Sequence, residues 1–353
     1  MRILFFTIGT RVYPSSRVRV YGYLPYLEKE GVGYKIINLL SQRHTMNNLK
    51  MKKESAASFI CERAVMAKQM ARAVVSASRY DIVFLQKVLL PKTVLNAIGA
   101  RNGRIVFDFD DAIYLSGDGS RYRFTDAVAS SRAVIASSDF LAAKAVTYNK
   151  NVVVIPTSVE TSRYRPKTPA GQDGPFVIVW IGTPEASKYL YGIRSVLIRL
   201  VKRYGDRITV KLIGLDEFKT GDVMTDRRIK LIRWSEGTEA DEIASADAGI
   251  MPMDEDEWSL GKAGYKLVQY MAGGLPVLSS ASGIAKTLVE EGVNGFLVKD
   301  EDGWFNRISF LISDRDRAGR MGLTGREKAE TEYSYKANFG KFYSVLKRCA
   351  ETP

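Results

Sequence analysis

Two cysteines, Cys61 and Cys349, and one histidine, His44, are all that 353 residues contain of either type. The cysteines show neither the spacing of a disulfide framework nor that of metal ligands, which fits a reducing, cytoplasmic compartment. His44 sits in "SQRHTMNN", read as a solvated polar loop, and one histidine leaves a Ser-His-Asp or zinc mechanism little to stand on. No run approaches the roughly 20 apolar residues that span a bilayer. The opening "MRILFF" is a short apolar run before polar residues, which suits a buried strand better than a secretory signal. Acidic residues are scarce at one end: 1–80 hold fourteen Lys and Arg against four Asp and Glu, in a chain of net charge +13. That surplus implies an anionic partner such as nucleic acid, a lipid surface or a phosphorylated small molecule. Zinc-finger spacing and RNA-binding aromatic motifs are both missing, which argues against nucleic acid. The first βα turn, "TIGTRVYPSS", lacks the glycine fingerprint of a dinucleotide-dependent oxidoreductase.

What is present is alternation. Apolar runs at "RILFFTIG", "YKIINLL", "DIVFLQ", "RIVFDF", "AVIASS" and "NVVVIP" read as buried strands, with helical stretches between them. A helix is expected over "RVRVYGYLPYLEKEG", and a longer one over about 47–79. Residues 166–175, within "RPKTPAGQDGP", read as a linker. The pattern then restarts with "FVIVWIG", a helix over about 185–204, "ITVKLIG", "IKLIRW", a helix near 238–246, "AGIMPM", a helix ending at Gly273-Gly274, and "LPVLSS". Such alternation implies parallel sheets covered on both faces. The expected architecture is α/β with two Rossmann-like domains, 1–165 and 176–334, and a last helix within 335–353 that belongs to either. Ligands of such sheets bind at the carboxyl ends of strands, here in a cleft between domains.

Several stretches carry candidate chemistry. "VWIGTPEASKYL" puts Gly182 at a strand end and Pro184 in a first helical turn, with Lys188 one turn on. Exposed N–H groups there attract phosphate, although an ordinary βα turn with a solvated lysine has the same residues. "LGKAGYKLVQYMAGG" offers a second helix start, with Gly261 and Gly264 beside Lys262 and Lys266 and with Gln269 on the same helix. It reads equally as a capped amphipathic helix packed through Leu267, Val268 and Met271. In "FDFDDAIY", Asp108, Asp110 and Asp111 follow a strand directly; a carboxylate there can bind and help deprotonate an acceptor hydroxyl, or cap the next helix. Arg11, Ser16, Arg17 and Arg19 follow strand one and form a candidate phosphate or acceptor clamp. Lys50, Lys52, Lys53, Arg63, Lys68, Arg72 and Arg79, beside Met51, Phe59, Ile60, Val65 and Met66, make a basic amphipathic segment that suits an anionic membrane or a solvated helix with one core face.

In order and spacing, "WIGTPEASKYL", "ADAGIMPM" and "GKAGYKLVQYMAGGLPVLSSASGIAKTLVEEGVNGFLV" resemble retaining glycosyltransferases of the GT-B fold, specifically family 4. The resemblance covers nearly the whole chain, is strongest over 176–300, and extends to "VFDFDDAIY" and "PSSRVRV". It implies a nucleotide-diphosphate sugar, UDP- or GDP-linked, held mainly by the C-terminal domain, with no cofactor or metal. It also implies an acceptor held by the N-terminal domain and transfer with retention; the basic N-terminal domain suits a glycan or lipid-linked acceptor at the cytoplasmic membrane face, as in surface-polysaccharide assembly, and a soluble acceptor fits nearly as well. Lys188 matches the lysine that contacts the diphosphate, while its usual arginine partner falls on Thr183. The family's paired glutamates fall on Gly261 and Gln269, so Gln269 is expected at the ribose, and Lys262 and Lys266 are candidates for part of the missing carboxylate's place. The helix start at Gly264 and Tyr265 is expected to face the diphosphate. Trp234, at the end of "IKLIRW", joins the donor-binding set. The usual N-domain histidine is replaced by Asp110 and Asp111, which with Lys188 are the expected catalytic groups. The missing glutamate at 261 leaves a second reading, a degenerate sugar-nucleotide-binding protein without turnover.

Overall fold

A computed structural model describes residues 1–49, 55–117, 119–167, 174–218 and 226–351, with the side chain of residue 48 left out. Most of the expected linker, and Lys50, Met51, Lys52 and Lys53 of the basic segment, lie outside the described residues. The chain divides into two units. The first comprises Met1–Ser158, Leu260–Ala263 and the final helix Tyr335–Glu351; the second comprises Val159–Ser259 and Gly264–Ser334.

Unit 1 is built on six parallel strands: β1 (Arg2–Thr7), β2 (Gly33–Asn38), β3 (Ile82–Gln86), β4 (Ile105–Phe109), β5 (Ala133–Ala136) and β6 (Val152–Val154), in the order β2-β1-β3-β4-β5-β6. Every residue of β3, β4 and β5 is buried, as expected of a sheet covered on both faces. Phe5 and Phe84 are cross-strand partners on β1 and β3 with rings 5.2 Å apart, and Phe342 of the last helix packs 5.7 Å from Phe84 and stacks on Tyr23 at 4.2 Å.

Unit 2 repeats the plan with β7 (Phe176–Ile181), β8 (Ile208–Ile213), β9 (Ile229–Ile232), β10 (Ala248–Met251), β11 (Val277–Ser280) and β12 (Gly295–Val298), ordered β12-β11-β10-β7-β8-β9 and all parallel. Its two faces are covered by separate apolar clusters, one around Trp180, Leu197 and Ile308, the other around Leu267, Tyr270 and Met271. Both units are thus doubly wound α/β sheets.

Four local expectations need correction. "RVRVYGYLPYLEKEG" is not one helix but a π-helical turn at Arg17–Tyr21, continuing a turn of α-helix at Pro14–Ser16, and then a helix Leu24–Lys29 started by Pro25. His44 is not in a loop. It lies in the first turn of helix Gln42–Leu49, where the Ser41 hydroxyl accepts its N–H at 3.1 Å and Glu62 accepts from Ser41 N at 2.7 Å. The helix expected over 185–204 divides at Gly192 into Ser187–Tyr191 and Arg194–Tyr204. Finally, "GFLV" forms β12, a strand the sequence does not announce. It pairs because Gly295 leaves room for Val277 O, 2.0 Å from where a Cβ would stand.

Candidate functional site

In unit 2 the carboxyl ends of β7 and β8 meet without side chains between them. Gly182 N donates to Ile213 O at 3.0 Å, and a Cβ on Gly214, whose φ is +93°, would lie 2.2 Å from Gly182 O. A Cβ on Gly182 would itself lie 2.4 Å from the buried Trp180 indole and 2.8 Å from Lys266 Nζ. The Lys266 ammonium rests 4.4 Å from the Trp180 ring centroid, so a cation and a bare backbone share one strand end. Thr183 follows in extended conformation and Pro184 opens a short turn leading to Lys188. Lys188 is exposed, 4.8 Å from the Tyr189 ring; Tyr189 first, and then Asp256 and Asp254, hold its ammonium above the ordinary range.

Lys266 is delivered by helix Tyr265–Ala272, which begins at Gly264 with φ +67°. A Cβ there would lie 2.6 Å from Leu288 and 2.7 Å from Ile284. The helix closes in a Schellman pattern, with Gly274 (φ +72°) donating to Met271 O at 2.9 Å and Leu275 to Tyr270 O at 3.0 Å. Gly274 rather than Gly273 therefore makes the reversal into β11. Two residues unmarked by sequence reasoning hold this helix in place. The Tyr270 hydroxyl accepts from Ile181 N at 3.0 Å, fixing the last residue before Gly182, and Arg326 donates to Ala272 O and, at 3.1 Å, to Tyr164 O. Gln269 is turned inward, 2% exposed, donating to the Tyr164 hydroxyl at 3.0 Å. Burial, with Tyr265 and Glu239 nearby, pushes that phenol well above its usual range. Trp234 donates its indole N–H to the buried Glu239 carboxylate at 2.7 Å.

Unit 1 brings its own groups to the carboxyl ends of β1, β3 and β4. Ser16 accepts from Gly9 N at 3.3 Å and donates to Gln86 Oε1 at 3.0 Å. Arg19 is 1% exposed and wholly engaged: Nη2 and Nε grip Asp108 at 2.5 and 3.1 Å, and Nη1 donates to Ile155 O at 2.8 Å. Burial disfavours its charge, but Asp108 more than offsets this and the guanidinium is held above its ordinary range. Arg19 is thus a pillar beneath the site, whereas Arg17, in the same π-helical turn, is 8% exposed. After β4, Asp110 and Asp111 converge on Lys87, which sequence reasoning passed over: its ammonium is 3.2 Å from Asp110 Oδ1 and bonded to Asp111 Oδ2. Lys262 lies in this unit too, 3.5 Å from Asp111, and Gly261 packs on Ala112, where a Cβ would come within 2.6 Å of another. Gly261 and Lys262, grouped by sequence with the donor residues, therefore stand beside Ala112 and Asp111, in the unit that also holds Asp110, Ser16 and Arg17. Gly182, Thr183, Lys188, Trp234, Gly264, Tyr265, Lys266 and Gln269 all belong to unit 2. Among the described residues, no cluster of three or more His, Cys, Asp or Glu side chains is arranged to hold a metal ion.

Residues 175–314 match the family described as Glycosyl transferases group 1. Spore coat protein SA of Bacillus subtilis (strain 168) is 30% identical over 81 residues, a match covering 22% of each chain. Among solved structures, a glycosyltransferase from Rickettsia africae ESF-5 superposes with a TM-score of 0.71 at 14% identity, covering 100% of this chain and 99% of that one. Anabaena Alr3699/HepE in complex with UDP-glucose superposes with a TM-score of 0.69 at 17% identity, covering 99% and 100%. Residues 175–314 thus carry a Glycosyl transferases group 1 domain, and the chain has the two-domain α/β fold of GT-B glycosyltransferase structures.

Proposed function

We propose that the chain is a retaining, family 4 glycosyltransferase that moves a sugar from a UDP- or GDP-sugar to a hydroxyl of a glycan or lipid-linked acceptor in surface-polysaccharide or glycoconjugate synthesis. One observation carries the reading: the stretch that matches the group 1 domain contains every part of the unit 2 strand-end cluster, from Gly182 and Lys188 to Lys266 and Gln269. The Anabaena protein solved with UDP and with UDP-glucose supports a uridine donor. In this reading the diphosphate lies over the bare backbone of Gly182 and Thr183 and the start of the helix at Gly264 and Tyr265. Lys188 and Lys266 face the charge that develops on the leaving group, so transfer proceeds without a metal. Gln269, held by Tyr164, and Trp234, held by Glu239, serve the nucleoside side. Asp110 and Asp111, with Ser16 and Arg17, receive the acceptor in the domain proposed for 1–165; 166–175 is the proposed linker.

A thermal-shift panel of UDP, GDP, ADP, their sugar conjugates and NAD at fixed salt tests this, because a ligand that binds only the folded state raises its apparent stability. The expected result is a shift with one nucleoside diphosphate and its sugar and none with NAD. No shift with any nucleoside diphosphate overturns the reading. Lys188→Ala should keep the fold and lower turnover by about 100-fold, the scale of losing one charge-stabilising group; near-normal turnover removes Lys188 from the site. The degenerate, binding-only reading is favoured by Gly261, which offers no carboxylate and whose side-chain space Ala112 occupies. Donor hydrolysis by the wild type excludes it.

A further inference from the structure

Lys87 combines two costly features. It stands directly after β3, and among the described residues it is the one non-glycine with positive φ, +57°. For an L-residue this left-handed conformation crowds Cβ against the following carbonyl, and Gly, Asn or Asp relieves most of that cost. Its side chain is also only 9% exposed, and an ammonium so largely withdrawn from water must be repaid by close partners. A turn alone is satisfied by glycine, and a core position by an apolar side chain; neither explains a lysine.

Its partners do. The Lys87 N–H donates to Asp108 O at 2.7 Å, which pins the backbone where β4 ends. From there the ammonium reaches Ser15 Oγ at 3.0 Å, Asp110 Oδ1 at 3.2 Å and Asp111 Oδ2. The charged and titratable groups facing it are Tyr13 from the first loop and Asp110 and Asp111 from the turn after β4, with Lys262 on the far oxygen of Asp111. Of the two carboxylates Asp111 is the more open, 17% exposed against 7%. Burial pushes the Asp111 carboxyl up, but Lys87 and then Lys262 pull it down further, leaving it below the ordinary carboxylate range.

We propose that Lys87 is a positioning residue for sugar transfer: from its strained backbone it fixes Asp111 as the hydrogen-bond acceptor that receives the attacking hydroxyl. This rests on the function proposed above. A carboxylate paired with two ammonium groups orients the hydroxyl but is a poor resting place for its proton. As the anomeric carbon's bond to the acceptor oxygen forms and its bond to the diphosphate breaks, the proton leaves with the diphosphate, the stronger base of the two.

The test uses the full-length chain with the sugar nucleotide found by the thermal-shift panel, following donor hydrolysis, in which water is the acceptor. Lys87→Asn removes the ammonium while tolerating the left-handed backbone, and Lys87→Arg keeps the charge. In Lys87→Asn, kcat should fall by about 10–100-fold, KM for the donor should change less than about three-fold, and the acid limb of the kcat profile should move to higher pH. Lys87→Arg should return the limb towards the wild-type position. A purely structural role lowers the melting temperature without moving the limb. Carboxyl NMR, with Asp111→Asn for assignment, should show Asp111 titrating at higher pH in Lys87→Asn than in the wild type, independently of turnover. An unmoved Asp111 titration, or an unmoved limb with kcat within three-fold, overturns the role of Lys87. A wild type that binds no nucleoside diphosphate overturns the proposed function itself.

Discussion

Gly249 has no side chain because Tyr270 fills its place: a Cβ would stand 2.2 Å from the ring. The same ring carries its hydroxyl to Ile181 N, so one packing decision in β10 sets where β7 ends and where Gly182 begins. Gly249→Ala must push the ring away, and overpacking of this kind costs about 1–3 kcal/mol; urea unfolding should show the loss together with weaker UDP binding. Tyr270→Phe keeps the shape but leaves the buried Ile181 N–H without its acceptor, worth about 1–3 kcal/mol. Stability equal to wild type in both variants would remove Tyr270 from this role. Asp111 gives the pH dependence. Its folded carboxyl lies below the unfolded one, so its contribution is complete above about pH 4 and is lost as pH falls through the lower, folded value. The stability gap between wild type and Asp111→Asn should therefore close on acidification, and a gap that persists unchanged to pH 2 contradicts the pairing with Lys87 and Lys262. These residues were hard to read because their partners are remote: Lys87 meets Asp111 from 24 positions away and Tyr270 meets Ile181 from 89. A tyrosine at one apolar position, or a lysine after a strand, carries no local sign of either bond.

Elements were more legible, and for a physical reason. Strands buried on both faces are continuous apolar runs, so "DIVFLQ", "RIVFDF" and "FVIVWIG" announce themselves, and the α/β architecture follows from their alternation with helices. Short or tertiary-dependent elements did not: β12 has four residues, and the π-helical turn at Arg17–Tyr21 carries Arg19, whose side chain is set by Asp108. Helix Ala56–Ser76 shows what an element can say beyond its own fold. Ser55 caps it, accepting from Ser58 N, and only Glu62, Ala73 and Ser76 are buried. Phe59, Ile60 and Val75 are left 54%, 67% and 61% exposed beside exposed Arg63, Lys68 and Arg72, with Arg63 5.4 Å from the Phe59 ring. An exposed face both apolar and cationic fits an anionic lipid surface, where each basic residue adds about 1 kcal/mol; no helix among the described residues is long and apolar enough to cross a membrane. We propose peripheral binding at the cytoplasmic face through this helix. Co-sedimentation with anionic vesicles should fall on Phe59→Ser with Ile60→Ser, and Arg63→Gln with Arg72→Gln should weaken both the binding and its dependence on salt. Equal binding of all variants, or equal binding to neutral vesicles, counts against it.

Across the whole molecule the decisive feature is that two sheets carry two chemistries. Unit 2 offers bare backbone at the ends of β7 and β8 with Lys266 beside it, proposed for a diphosphate; unit 1 offers carboxylates balanced by Lys87 and Lys262, proposed for a hydroxyl. Each sheet has its own apolar clusters, and multidomain chains depart from two-state unfolding, so a ligand of one unit need not stabilise the other. Hydrogen exchange therefore separates the assignments. With a bound nucleoside diphosphate, protection should rise over 181–190 and 264–272 and at the ends of β8 and β10, while β1, β3 and the turn after β4 change little. Adding a competent acceptor should then protect 9–19, 86–88 and 108–114. If the nucleoside diphosphate instead protects the ends of β1, β3 and β4 and leaves Gly182 and Gly264 unchanged, donor and acceptor have been assigned to the wrong units. The Lys87–Asp111 pair would then belong to the leaving group, and the basic surplus of residues 1–80 would be read as its counter-charge.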